Sequence, residues 1–319
     1  MSQRIIVLFV FCLFVIASGS IGQVVTAQTI TGLDDIVESG APERIATGFK
    51  NTEGPVWHPD GYLLFSDING NTISKWTPDG KVETFRSPSG YSNGLAFDRQ
   101  GRLISCEHGN RRVSRTESDG SIVTLVNEHE KKRLNSPNDA IVRSDGSIYF
   151  TDPPYGITGS AGPPGVQELA FQGVYRILPD GKTLVLLVKE LFRPNGLAFS
   201  PDEQVLYIAD TQRTSAVHAY DVQKDGSLAN NRVFAKISGW PDGIKVDTQG
   251  NLYVTTNRPA VEVYDRAGRF IGNIAIPEIT RNCAFGGSDY KTLFITAMTS
   301  VYRVQLKVKG VPAFIGSDK

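Results

Sequence analysis

Short hydrophobic runs recur along this chain, each closed by a turn rich in Gly, Asp, Asn or Pro. The first group shows the grammar. Val56 and Trp57 begin one run, His58-Pro59-Asp60-Gly61 turns the chain, Tyr62 to Phe65 returns it, Asp67 to Asn71 reverses it again, and Thr77-Pro78-Asp79-Gly80 makes a last hairpin. Runs this short, bounded by such turns, predict antiparallel strands. The same grammar follows over Leu95 to Val126, Ala140 to Val188, Leu197 to Ile237, Ile244 to Ile276 and Ala284 to Leu306, with Asp119-Gly120, Asp180-Gly181 and Asp225-Gly226 at the outer hairpins. No helical stretch competes with it. A strand-rich unit repeated six times predicts an all-β fold, a six-bladed β-propeller in which each blade is a four-stranded antiparallel sheet.

A polar column runs through the repeat. Glu53, Asn93, Asn138, Asn195, Asp242 and Asn282 each sit where a hydrophobic run begins, at successive spacings of 40, 45, 57, 47 and 40 residues. Eight residues after four of them stands a turn glycine (Gly61, Gly101, Gly146 and Gly250). In the fourth unit Ser200-Pro201-Asp202-Glu203 makes the inner turn one residue longer, and Gly286 to Asp289 does so in the sixth. Insertions at a turn leave the register of the inner strand intact. Arg44 to Gly48 is placed to complete the last blade as its outer strand, which would close the ring and remove exposed sheet edges. The third unit is longest because of Pro153 to Gln172, a Gly- and Pro-rich run without strand periodicity. It follows a second strand, so it is expected on the face where the inner strands start, as a lid or wall carrying Tyr155 near the entrance.

One Asn or Asp at a loop-to-strand junction is ordinary turn chemistry. Six in register around an axis make a ring of oxygen donors. The ring contains no His or Cys, so it suits a hard cation, and Glu53 and Asp242 together balance a divalent charge. One divalent ion is expected: calcium suits the irregular carboxylate and amide set, with zinc or manganese as alternatives. Proline precedes Asn138, Asn195 and Asp242 and stiffens the entering loops, so Asn138 and Asn195 are read as ligands beside Glu53 and Asp242. Asn93 and Asn282 are left as supporting or substrate-contacting groups. Asp67, Glu107, Asp152 and Asp210 end second strands on the same face, and their repetition points to capping of loops.

Composition narrows the partners. An apolar run from Ile5 to Ala17, with Arg4 before it and Val25-Thr26-Ala27 after it, reads as a signal peptide over residues 1–27. The product is then expected to be exported, periplasmic or extracellular, with no stable membrane association after cleavage. Residues 28–40 read as an N-terminal extension, 41–310 as the propeller and 311–319 as a C-terminal tail. The mature chain carries 32 basic and 33 acidic groups, which argues against a nucleic-acid partner. Cys106 and Cys283 fall on the second and sixth blades, too far apart to pair, so buried free thiols are expected.

Several motifs resemble one family. Glu53-Gly54-Pro55-Val56-Trp57, Asn135-Ser136-Pro137-Asn138-Asp139, Phe150-Thr151-Asp152-Pro153-Pro154-Tyr155-Gly156, Arg193-Pro194-Asn195-Gly196-Leu197-Ala198-Phe199 and Pro241-Asp242-Gly243 are similar to those of the gluconolactonase and senescence-marker-protein (regucalcin) family. Cys106-Glu107-His108-Gly109 and Asn282-Cys283-Ala284-Phe285-Gly286 resemble its bacterial gluconolactonase branch. The resemblance spans about Ala41 to Leu306. It implies a six-bladed propeller with one catalytic divalent metal at Glu53, Asn195 and Asp242, with Asn138 beside them. The more distant diisopropylfluorophosphatase has a similar Glu, Asn, Asn, Asp set for calcium. At the place where animal lactonases carry a sugar-binding arginine, this chain has Ser136.

The expected function is metal-dependent hydrolysis of a small sugar lactone, such as glucono-1,5-lactone to gluconate, with the ion as Lewis acid and Asp242 as general base. No Gly-x-Ser-x-Gly elbow or ordered triad offers another nucleophile. Asn93, His108, Tyr155 and Asn282 are the candidate substrate contacts. Two other readings stay open on sequence: a related lactonase, esterase or phosphotriesterase, and a non-catalytic propeller that binds a partner around a structural ion.

Overall fold

A computed structural model describes residues 32–312 of the 319-residue chain; the expected leader over 1–27 lies outside the described residues. Six four-stranded antiparallel sheets form the body. The first blade runs Thr52–His58, Tyr62–Asp67, Thr72–Trp76 and Val82–Arg86 from the inside outward. The inner strands of the other five blades are Ser92–Phe97, Ala140–Val142, Pro194–Phe199, Pro241–Val246 and Thr280–Gly286. Each inner strand touches that of the next blade, and the sixth touches the first, so the blades close a ring.

Burial explains why the second strands of the blades read as near-continuous apolar runs. In the second strand of blade one, Leu63 and Phe65 face Trp76 and Phe294, while Leu64 faces Leu95 and Phe97 of blade two. Both faces of the sheet are covered, one by each neighbour, so alternation disappears. Trp57 stacks on Phe294 across the blade one–blade six seam, with ring centroids 5.2 Å apart. Outer strands such as Val82–Arg86 are largely exposed. The turn after the first inner strand needs a left-handed residue and has Gly61 there, at φ +88°.

The last blade is built from both ends of the chain. Glu43–Thr47 pairs antiparallel with Ser300–Gln305 as its fourth strand, as expected for the segment around Arg44 to Gly48. The described part of the expected extension also belongs to this packing. Ile36 is fully buried between blades five and six, and Val37 bridges to Leu306. Two features went unanticipated: a small hairpin of Glu128–His129 with Lys132–Arg133, and the single 3-10 turns Leu33–Asp35 and Tyr155–Ile157. Cys106 and Cys283 are free and buried.

Candidate active site at the mouth of the axial channel

Five of the six column residues lie at the start of an inner strand, and Asn138 lies two residues before one. All six therefore open on the face where second strands end. The blades crowd together here. A Cβ on Gly196 would stand 2.4 Å from the Asp242 carbonyl oxygen, and one on Gly94 would stand 2.6 Å from that of Asn138. Only glycine allows that approach. Hydroxyls tie four of the blades to carbonyls of the next: Ser66 donates to Asn93 O at 2.8 Å, Thr151 to Asn195 O at 2.8 Å, Thr211 to Pro241 O at 2.7 Å and Thr255 to Arg281 O at 2.6 Å.

Glu53 and Asp242 come from blades one and five and share one electrostatic environment at the axis. Burial pushes both carboxyls above their ordinary range, and the Asp242 charge pushes Glu53 further up. The Gly54 N–H donates to Glu53 Oε2 at 2.9 Å, while Arg281 and the Asn195 amide favour the ionised form of Asp242. Glu53 is 5 % exposed, whereas the Asp242 side chain keeps 16 % of its surface open. Asp242 is thus the carboxylate that a molecule at the mouth can reach. Asn195 also bonds Thr211 Oγ1 at 3.4 Å. The Asn138 side-chain amide has no hydrogen bond among the described residues, which leaves its oxygen free at the channel.

The four remaining candidates divide. Tyr155 stands over Asn195 and Thr211, and burial raises its phenol to about 12. His108 is 1 % exposed; its Nε2 lies 3.3 Å from the Asn93 amide and its Nδ1 2.7 Å from Ala161 O. Burial lowers it to about 4, so it is neutral. His108 therefore ties Asn93 to the 153–172 insertion and presents little surface of its own. Asn282 Nδ2 donates to Asp139 Oδ2 at 3.3 Å, and its Oδ1 accepts from Cys283 N at 2.8 Å. Both the nitrogen and the oxygen of its amide thus have a partner within the fold.

The insertion forms a wall over blades one and two. Beyond the His108 contact, Ser160 O accepts from Asn69 Nδ2 at 3.1 Å, and Gly156 N donates to Ser136 Oγ at 2.9 Å. Ser136 therefore holds the wall in place. Asp67 accepts from Lys50 N, Asn51 N and Gly70 N, Asp152 from Asn135 N, and Asp210 from Arg193 N, so these acids cap loops as expected. Glu107 instead holds Arg86 and Arg112.

Three further residues matter here. Asp139 occupies the position after the column residue, where four other blades have glycine, and this exception was visible in the sequence. Its carboxylate crosses the axis to Asn282 of the opposite blade and lies 3.9 Å from Lys245 Nζ. Arg281 Nη1 lies 3.7 Å from Asp242 Oδ2, and Arg193 lies over the Tyr155 ring at 5.3 Å. Neither arginine has a repeat partner that would have marked it. A separate cavity of about 350 Å³ opens at the other end of the channel, lined by Val56, Phe97, Val142, Phe199 and Phe285. Its lining also includes Asp98, Arg99, Arg143, Asp202, Glu203 and Lys245, and it contains none of the column residues.

Residues 51–299 match the model of the SMP-30/gluconolactonase/LRE-like region. The chain belongs to this family. It is 36 % identical over 308 residues to the gluconolactonase of Zymomonas mobilis, covering 87 % of this chain and 85 % of that protein. A solved gluconolactonase from Xanthomonas campestris is 38 % identical with TM-score 0.82, over 87 % of this chain and 93 % of that one. The calcium-binding regucalcin structure from Agrobacterium tumefaciens shares the fold, at 18 % identity and TM-score 0.74 over 87 % and 98 % of the two chains. At the level of enzyme class, the expected lactone hydrolase agrees with these relatives.

Proposed function

We propose that this protein opens a sugar lactone by water attack at the mouth of the axial channel, and that it does so with one divalent cation bound to Glu53, Asn138, Asn195 and Asp242. The observation that carries this reading is the meeting of two buried carboxyls from separate blades beside amide oxygens. Two like charges in one buried site repel, and a divalent ion is the counter-charge that relieves both. The donors are all oxygens, which fits calcium, the ion named for the regucalcin relative. When bound, the cation supplies Lewis-acid polarisation of the lactone carbonyl.

The chain's own residues account for the proton. Asp242 accepts a proton from the attacking water, and the resulting carboxylic acid returns it to the ring oxygen as the acyl–oxygen bond breaks. One water is consumed and one hydroxy acid leaves. Arg281 and Asn195 hold the Asp242 carboxyl in orientation, and Glu53 anchors the ion from the more deeply buried side. The insertion, fixed through Ser136 and His108, restricts solvent on the blade one–blade two side. The leader supports export to a periplasmic or extracellular site.

Acid release from glucono-1,5-lactone above the spontaneous rate tests the reading directly. A chelator should abolish it and calcium restore it. Asp242→Asn should lower kcat by about 10²–10⁴-fold. Full turnover in Asp242→Asn, or turnover indifferent to exhaustive chelation, would overturn the assignment.

A further inference from the structure

Two guanidinium groups at the mouth have donors that the fold does not use. Arg193 sits on the loop entering blade four, where its own N–H is fixed by Asp210 at 2.7 Å. Its side chain lies over Tyr155 and Phe192, with centroid distances of 5.3 and 5.7 Å, and its Nε is buried without an acceptor. No carboxylate pairs with it among the described residues. Arg281, on the inner strand of blade six, is poorly served as well. Nη2 points at the Met298 sulfur at 3.0 Å, Nε is buried without an acceptor, and Nη1 is 3.7 Å from Asp242.

A thioether is a weak acceptor, and a buried donor without a partner requires a reason. The contrast lies in ion pairing, since Arg112 and Arg86, whose Nε also lacks an acceptor, both reach Glu107 within 2.7 Å, whereas Arg193 reaches no carboxylate among the described residues. Asp242 is the acid that Arg281 reaches, while Asp67, Asp152 and Asp210 are bonded to backbone N–H groups and leave Arg193 without a carboxylate. Blades four and six flank blade five, so Arg193 and Arg281 stand on either side of Asp242. With Glu53 and Asp242 balanced by a divalent ion, the arginines leave this side of the mouth positive.

We infer that the lactone this site accepts carries its own carboxylate, as an aldaric acid monolactone does, with that carboxylate received by the guanidinium group of Arg193 while Arg281 stays beside Asp242. The inference rests on the proposed lactone hydrolysis and narrows it. Guanidinium matches a carboxylate in a planar two-point contact, and the Tyr155 ring packs against Arg193 with its centroid 5.3 Å from Cζ. A neutral aldonolactone offers no such group.

The test compares kcat/KM for glucono-1,5-lactone, glucaro-1,4-lactone and 6-phosphogluconolactone in the full-length protein and in Arg193→Met. Wild type should prefer the carboxylated lactone by about tenfold or more, and Arg193→Met should reduce that preference by about 10–100-fold, chiefly through KM. Calorimetric binding of glucarate against gluconate gives a readout free of turnover, and glucarate should bind at least about tenfold tighter to wild type only. Equal kcat/KM for neutral and carboxylated lactones, or an unchanged ratio in Arg193→Met, would overturn the inference while leaving lactone hydrolysis standing. Preference for the phosphorylated lactone would overturn the carboxylate assignment. Failure to hydrolyse any of the three would instead remove the underlying activity.

Discussion

His108 shows how a single side chain can couple the wall of this site to pH. Burial holds it near 4, below its ordinary value of 6.5. Between those values the unfolded chain binds a proton that the folded protein refuses, so stability rises with pH across that window. The contribution is complete above 6.5 and is lost as pH falls toward 4. A shift of this size corresponds to about 3 kcal/mol at most. Replacing His108 with Gln removes the titration and keeps an amide near Asn93 and Ala161. Urea unfolding at about pH 4.5 and about pH 7 should then show a gap between the two stabilities smaller by about 2 kcal/mol than in wild type. A gap of unchanged size would mean that the imidazole is protonated in the fold and that its contact with Ala161 is not what the neutral ring makes.

Strands and turns were legible because the blades bury both faces of their second strands and turn glycines must sit where φ is positive. The polar column was legible for the opposite reason: Asn, Asp and Glu interrupt an apolar pattern at fixed intervals. The row of hydroxyls that ties blade to blade was not. Ser66, Thr151 and Thr255 look like ordinary strand residues, and their partners are carbonyls of the next blade. Asp139 could be seen as an exception to a glycine row, yet its partner lies 143 residues away across the axis. The same inter-blade crowding makes an element-scale prediction. Gly196→Ala places a methyl 2.4 Å from the Asp242 carbonyl and 2.7 Å from the Gly243 Cα, so one of the two inner strands has to move. Overpacking of this kind costs about 1–3 kcal/mol. Because the displaced backbone carries Asp242, turnover should fall more than stability does. Thermal unfolding and lactone kinetics on the same preparation check it, and a stable variant with wild-type kcat would show that the two strands have slack.

At the scale of the molecule, the ring is only as complete as its sixth blade, which takes three strands from one end of the chain and the fourth from the other. Thr47 Oγ1 meets Ser300 Oγ at 2.9 Å, Arg303 reaches Glu43 with two hydrogen bonds of 2.8 and 3.0 Å, and Ala46 packs with Trp57 and Val301. Removing that strand would leave Ser300–Gln305 as an open edge and would uncover part of the seam between blades one and six. The seam also carries the site, since Glu53 starts the inner strand of blade one and Asn282, which steadies Asp139, starts that of blade six. A chain beginning at Phe49 should therefore lose both solubility and divalent-ion binding, whereas one beginning at Gly32 keeps Ile36, Val37 and the closing strand and should match the longer protein in both. Gel filtration and calcium calorimetry on the two truncations separate the possibilities. If the shorter chain stays monomeric and still binds calcium at wild-type affinity, ring closure is dispensable, and the positions of Glu53 and Asp242 are fixed by the hydroxyl ties between blades alone.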